Sequence, residues 1–180
     1  TAGACAALPG ATIAFAEEMG LDDTDMAKAM LAAGAIGLFI AGPWTFAAEV
    51  GGCQAEGGSA AAMAAAALVT LAGGNLRQST GAASMALQSM LGLICDPVAA
   101  RVEVPCLGKN VIAASNAVSC ANMALAGFDH VIPFNETVDA ARRVAELMPR
   151  EHRCTALGGL ATTPTGIRLS EELQRRLAAT

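Results

Sequence analysis

Apolar residues run in long stretches broken by short polar or glycine-bearing punctuation, and no stretch makes a convincing strand. The pattern predicts about seven helices. Pro9 suits the first turn of a helix running to about Met19, which Gly20 ends. Asp22, Asp23 and Thr24 offer N-caps for a helix over 25–41, stopped by Gly42-Pro43. A short piece over 44–50 leads into Gly51-Gly52. A long helix over 56–72 closes at Gly73-Gly74, and Asn75 caps the next, over 76–91. Residues 92–108, with Pro97 and Pro105, read as a connecting loop. Further helices are expected over 109–126 and from Pro133 and Asn135 onward. Residues 149–168 read as an irregular tail before a short last helix from Ser170.

Composition narrows the class. Of 180 residues, 42 are Ala and 19 Gly, so about one in three has almost no side chain. Ala is the strongest helix former, while β-branched and aromatic residues are scarce, which argues against a β-sandwich. The expectation is an all-α, compact Ala/Gly-rich bundle in one domain spanning 1–180. Helices faced with Ala and Gly approach closely, so the core should tolerate little added volume. At 54% apolar residues the chain is too hydrophobic to be disordered. A net charge of −5 with no basic block argues against nucleic-acid binding.

Two uncharged stretches, 29–48 and 57–76, are long enough to span a bilayer. The first carries Gly34, Gly37, Gly42 and Pro43, and the second is mostly Ala and Gly, whose insertion drive is weak. Buried helices are expected rather than membrane spans. No secretory signal is visible, so a cytoplasmic setting with reduced thiols is expected.

Six cysteines then become the candidate chemistry: Cys5, Cys53, Cys95, Cys106, Cys120 and Cys154. Cys5 and Cys120 lie among Ala residues and read as packing. Cys53 follows Gly51-Gly52 ahead of a helix, where a helix dipole favours thiolate. Cys95 and Cys106 sit in loops stiffened by Pro97 and Pro105. Cys154 lies in the tail. Spacing alone leaves two readings open, a shared metal site and a structural helical subunit with buried thiols. Glu56 reads as a first-turn acid, Glu103 as solvated, and His130 and His152 as surface residues.

The words around these cysteines carry more. Gly51-Gly52-Cys53-Gln54-Ala55-Glu56, Leu93-Ile94-Cys95-Asp96-Pro97, Val102-Glu103-Val104-Pro105-Cys106 and Lys109-Asn110 resemble the α chain of iron–sulfur L-serine dehydratases. So do Thr1-Ala2-Gly3, Ile132-Pro133-Phe134 and Ala156-Leu157-Gly158-Gly159-Leu160-Ala161, in the family's order. The resemblance implies a [4Fe–4S] cluster on Cys53, Cys95 and Cys106, held by cluster-binding loops. Three ligands instead of the usual four would leave one iron open as a Lewis acid. It implies L-serine as substrate, pyruvate and ammonia as products, a smaller β domain or β subunit, and a homo-oligomer. Thr1, Ala2 and Gly3 would offer backbone N–H groups to a carboxylate. Asn110 would donate near the cluster, or simply cap its helix. The catalytic base stays unassigned. The pyridoxal route needs a Schiff-base lysine. Only Lys28 and Lys109 are present, neither in a recognisable motif.

The chain also departs from the family. Ala99-Ala100-Arg101 replaces a small or apolar run, and Arg101 either meets a substrate carboxylate or reaches solvent. The Ser-Ser-His-Thr type motif of the β domain has no match, and family α chains begin well before Thr1. The expected domain is therefore a helical α portion lacking its N-terminal part and the β domain.

Overall fold

The structure is a computed structural model that describes residues 4–179. Among the described residues it is all-α, with eight α-helices and no strand longer than one isolated bridge. The helices are α1 (Ala4–Met19), α2 (Asp23–Ala41), α3 (Ala48–Gly51), α4 (Ser59–Leu71), α5 (Leu76–Gln88), α6 (Cys106–Leu125), α7 (Phe134–Leu147) and α8 (Pro164–Ala178).

The fold is organised around α4. Its Ala60, Ala61, Ala62, Ala64, Ala65, Ala66 and Ala67 are each 1% exposed or less. A helix this thin is surrounded on all sides, and α1, α2, α5 and α6 all pack on it. One core joins α1, α4 and α6 through Leu8, Ala64, Leu68 and Ala117. A second joins α2, α5 and α7 through Ile36, Ile40, Leu87 and Val138. Close packing of small residues maximises dispersion contacts where side chains offer little area.

The caps follow local chemistry. Asp22 accepts from the backbone N–H groups of Thr24 and Asp25. Asn75 and Gln78 close a reciprocal capping box at the start of α5.

Several expectations are corrected. Pro9 lies inside α1, which begins at Ala4; as the sixth helical residue it lacks the N–H that would reach the carbonyl four residues back, at Cys5. The segment after Trp44 contains α3. The long central helix opens with a π turn, Gln54–Gly58. Helix α6 starts at Cys106, not near Lys109. The tail is not irregular to Arg168: it holds 3-10 turns at Arg150–His152 and Gly159–Thr162, and α8 begins at Pro164. There Thr163 Oγ1 accepts from the Gly166 N–H, with Pro164 at the first helical position.

The two long apolar stretches differ. Helix α4 is buried as expected. Helix α2 buries only the stripe of Ala29, Ala33, Ile36, Gly37 and Ile40, leaving Leu31, Leu38 and Phe39 exposed. By length and composition alone, α2 is the one described helix able to cross a membrane.

Candidate metal centre

Three segments bring their cysteines to one place. Cys53 sits between α3 and the π turn. Cys95 lies in the loop after α5, where its N–H donates to the His152 carbonyl and its own carbonyl accepts from the Cys154 N–H. Cys106 is the first residue of α6, and the loop before it is closed by Val98 N–H donating to the Val104 carbonyl at 2.9 Å. The sulfur atoms of Cys53, Cys95 and Cys106 all lie within 4.8 Å of one another. Cys53 and Cys95 are buried and Cys106 is half-buried.

Buried polar atoms hold this geometry. Gln54 Nε2 donates to the Ala141 carbonyl on α7, and its Oε1 accepts from the Gly92 N–H. The Gln54 N–H donates to the Leu93 carbonyl. One fully buried side chain therefore ties the Cys53 turn to α7 and to the Cys95 loop. Lys109 Nζ donates to the Ile94 carbonyl and to Asp96 Oδ1, so α6 is tied to the same loop. Asp96 Oδ2 accepts from the Leu160 N–H, bringing in the Gly-Gly-Leu-Ala turn of the tail.

The trio lines a cavity of about 450 Å³, together with Glu56, Lys109, Asn110 and Cys154. A larger depression of about 650 Å³ lies between α5 and α7, around Gln88, Glu136 and Arg143, and holds no cysteine. Among the described residues, four of the five non-glycine residues with positive φ fall in the loops beside the cysteine cavity: Ala99, Ala100, Cys154 and Ala156. Strain of this kind persists only where surrounding contacts over-determine the backbone.

Thiol protonation follows from crowding. Cys95 is held far above the ordinary thiol range by its hydrogen bond with Cys53 and by burial, with Cys154 and Lys109 opposing. Burial pushes the Cys106 thiol up, Cys95 adds to the shift, and Lys109 opposes it. At Cys106, then, burial and neighbouring sulfur outweigh its position at a helix start. Burial, followed by the hydrogen bond with Cys95, pushes Cys154 up to about 12. Thiols crowded in this way become ligands once a cation displaces their protons.

The donor set decides what fits. Soft thiolates select iron–sulfur clusters, zinc or cuprous ions over magnesium or calcium. Sulfurs on one tetrahedral ion with bonds near 2.3 Å stand about 3.8 Å apart, so the trio as it stands matches a single ion, and a cluster that gives each sulfur its own iron needs the three spread wider. The trio can hold a metal, and its chemistry suits iron–sulfur binding.

The other predicted residues separate. Asn110 lines the cavity, half-buried. Thr1, Ala2 and Gly3 lie outside the described residues. Arg101 turns to the surface and pairs with Glu103 at 3.6 Å, both side chains more than half exposed. Cys120 is buried, whereas Cys5 is exposed and packs less than its Ala-rich setting suggested. His130 is half-buried, its side chain being 20% exposed. Cys154 is the residue that sequence reasoning undervalued. No local motif marks it, and only the pairing of the tail with the Cys95 loop brings its sulfur there.

Comparison with known proteins identifies the family. The family described as "Serine dehydratase alpha chain" matches residues 1–161. A probable L-serine dehydratase alpha chain of Latilactobacillus sakei is 46% identical over 173 residues, covering 96% of this chain and 83% of that protein. Its counterpart in Bacillus subtilis (strain 168) is 45% identical over 173 residues, covering 96% of this chain and 58% of that protein. The L-serine dehydratase alpha chain of Peptoniphilus asaccharolyticus is 42% identical over 172 residues, with 96% and 59% covered. The chain thus spans about three fifths of the second and third relatives. With most of its length matched both by the family and by these relatives, it belongs to the serine dehydratase alpha chain family.

Proposed function

We propose that this chain is the helical catalytic portion, residues 1–180 forming one domain, of an iron–sulfur L-serine ammonia-lyase that yields pyruvate and ammonia. The observation that carries the reading is the convergence of Cys53, Cys95 and Cys106 from three segments onto one cavity. These three would hold a [4Fe–4S] cluster. When bound, the cluster supplies Lewis acidity for the departing hydroxyl, a poor leaving group without it.

The rest of the reaction asks for positioning and water exclusion. L-serine loses its Cα proton and its β-hydroxyl, and the resulting aminoacrylate tautomerises and hydrolyses. Lys109, pinned by Ile94 and Asp96, fixes the helix that carries Cys106. Asn110, one residue on, offers an amide donor to the substrate carboxylate. The family resemblance adds Thr1, Ala2 and Gly3 as backbone N–H donors to a carboxylate. This chain works with a smaller β domain or β subunit in a homo-oligomer, and the catalytic base is left unassigned. Free thiols suit a reducing cytoplasm.

The test is an anaerobic assay on the protein joined with its β portion. Pyruvate formation should depend on reconstitution with iron and sulfide. Equal pyruvate formation from fully iron-free protein contradicts the proposal.

A further inference from the structure

The sulfurs of Cys53, Cys95 and Cys106 stand closer together than a cluster with one iron per sulfur would hold them. Thiolates on one tetrahedral ion are about 3.8 Å apart, so a small adjustment within the 4.8 Å set brings all three onto a single centre. Three thiolates leave one tetrahedral corner to fill.

A fourth sulfur is at hand. Cys154 lines the same cavity, and its thiol shares a hydrogen bond with that of Cys95. Two backbone bonds keep it there. The Cys154 N–H donates to the Cys95 carbonyl, and the Cys95 N–H donates to the His152 carbonyl. Cys154 holds a φ of 63°, a conformation that costs a residue with a side chain and persists only where its surroundings impose it. It is exposed and lies outside the 4.8 Å set, so it joins the other three by turning its side chain while the backbone pairing stays. The Lys109 ammonium, held by the Ile94 carbonyl and Asp96, favours the thiolate forms of Cys95 and Cys106. Four soft donors around one point suit zinc, which takes tetrahedral thiolate sets.

We propose that the cluster-free protein binds one zinc ion on Cys53, Cys95, Cys106 and Cys154, each thiol giving its proton to solvent. A closed set of four thiolates leaves the ion no open position. The zinc form is therefore silent in elimination, and it occupies the sulfurs that a cluster would take. Zinc binding stands apart from the dehydratase reading, whereas the exclusion of a cluster rests on it.

The experiment titrates zinc into the full protein with its β portion, cluster-free and reduced, against a chromophoric chelator. Wild type should bind one zinc per chain. Zinc-loaded protein should take up no iron and sulfide until the zinc is removed. Removing a group that merely orients a ligand costs about 10–100-fold in metal affinity, so removing a ligand should cost at least about tenfold. Cys154→Ser should therefore weaken zinc by at least about tenfold, yet load iron and sulfide like wild type. Cys120→Ala should leave both unchanged. Cobalt in place of zinc should show sulfur-to-metal charge-transfer absorption in wild type that falls in Cys154→Ser. Wild-type zinc affinity in Cys154→Ser, or cluster uptake by protein that keeps its zinc, overturns the inference. Protein that takes up a cluster but no zinc overturns it and leaves the dehydratase reading intact. Protein that takes up zinc but never a cluster upholds the zinc site and overturns that reading.

Discussion

Lys109 Nζ stands 2.5 Å from Asp96 Oδ1, an ion pair that fastens the helix of Cys106 to the loop of Cys95. Their side chains are 15% and 6% exposed, so neither charge is well served by water. Removing one partner of a buried pair strands the other. Lys109→Met should lower unfolding free energy by about 3–5 kcal/mol, and Lys109→Arg should lose less. Urea denaturation of the metal-free protein checks this. A loss for Lys109→Met no larger than for Lys109→Arg would show that the pair does not fasten the loop.

Gly159 backs onto the same carboxylate. It has φ of 59°, and a Cβ there would lie 2.6 Å from the Asp96 side chain. Gly92 has φ of 80° but open space around it. Both Gly→Ala variants should suffer backbone strain of about 1–2 kcal/mol. Only Gly159→Ala should add displacement of Asp96, and with it loss of the bond from the Leu160 N–H. Thermal unfolding should place Gly159→Ala clearly below Gly92→Ala.

The core around α4 has no spare room. Ala65 is completely buried in the cluster shared with α1 and α6. Ala65→Leu should destabilise by about 1–3 kcal/mol or more through overpacking. The same change at exposed Ala179 should be nearly neutral by denaturant midpoint.

Cys120 provides a pH signature away from the metal trio. Burial raises its thiol above the ordinary value, and its Sγ donates to Asn116 Oδ1. Above the unfolded thiol pKa of about 8.5, the unfolded chain holds fewer protons than the folded one. Stability from this group is therefore complete below that pH and lost as pH rises toward the folded value. Between about pH 7 and pH 10, Cys120→Ala should lose less stability than wild type. Parallel decline of the two proteins would show that Cys120 does not contribute.

Where local chemistry governs, the sequence is readable. Asn75 and Asp22 cap the helices they were expected to cap, and the Ala-rich central stretch is the buried helix. The three loop cysteines that the motifs singled out do converge. What escaped depended on tertiary contacts. The start of α8 rests on Thr163 and Pro164, whose capping signal is diluted by Gly158, Gly159 and Gly166. The place of Cys154 rests on one isolated bridge between distant segments. The half-burial of Glu56 follows from the π turn, and no periodicity announces a π turn.

Iron per chain in anaerobically purified protein, measured across single cysteine variants, tests the central claim most directly. Wild type, Cys120→Ala and Cys154→Ser should retain iron near four per chain. Cys53→Ser, Cys95→Ser and Cys106→Ser should each lose most of it. Folded variants of the trio that keep the wild-type iron content would contradict a shared metal centre.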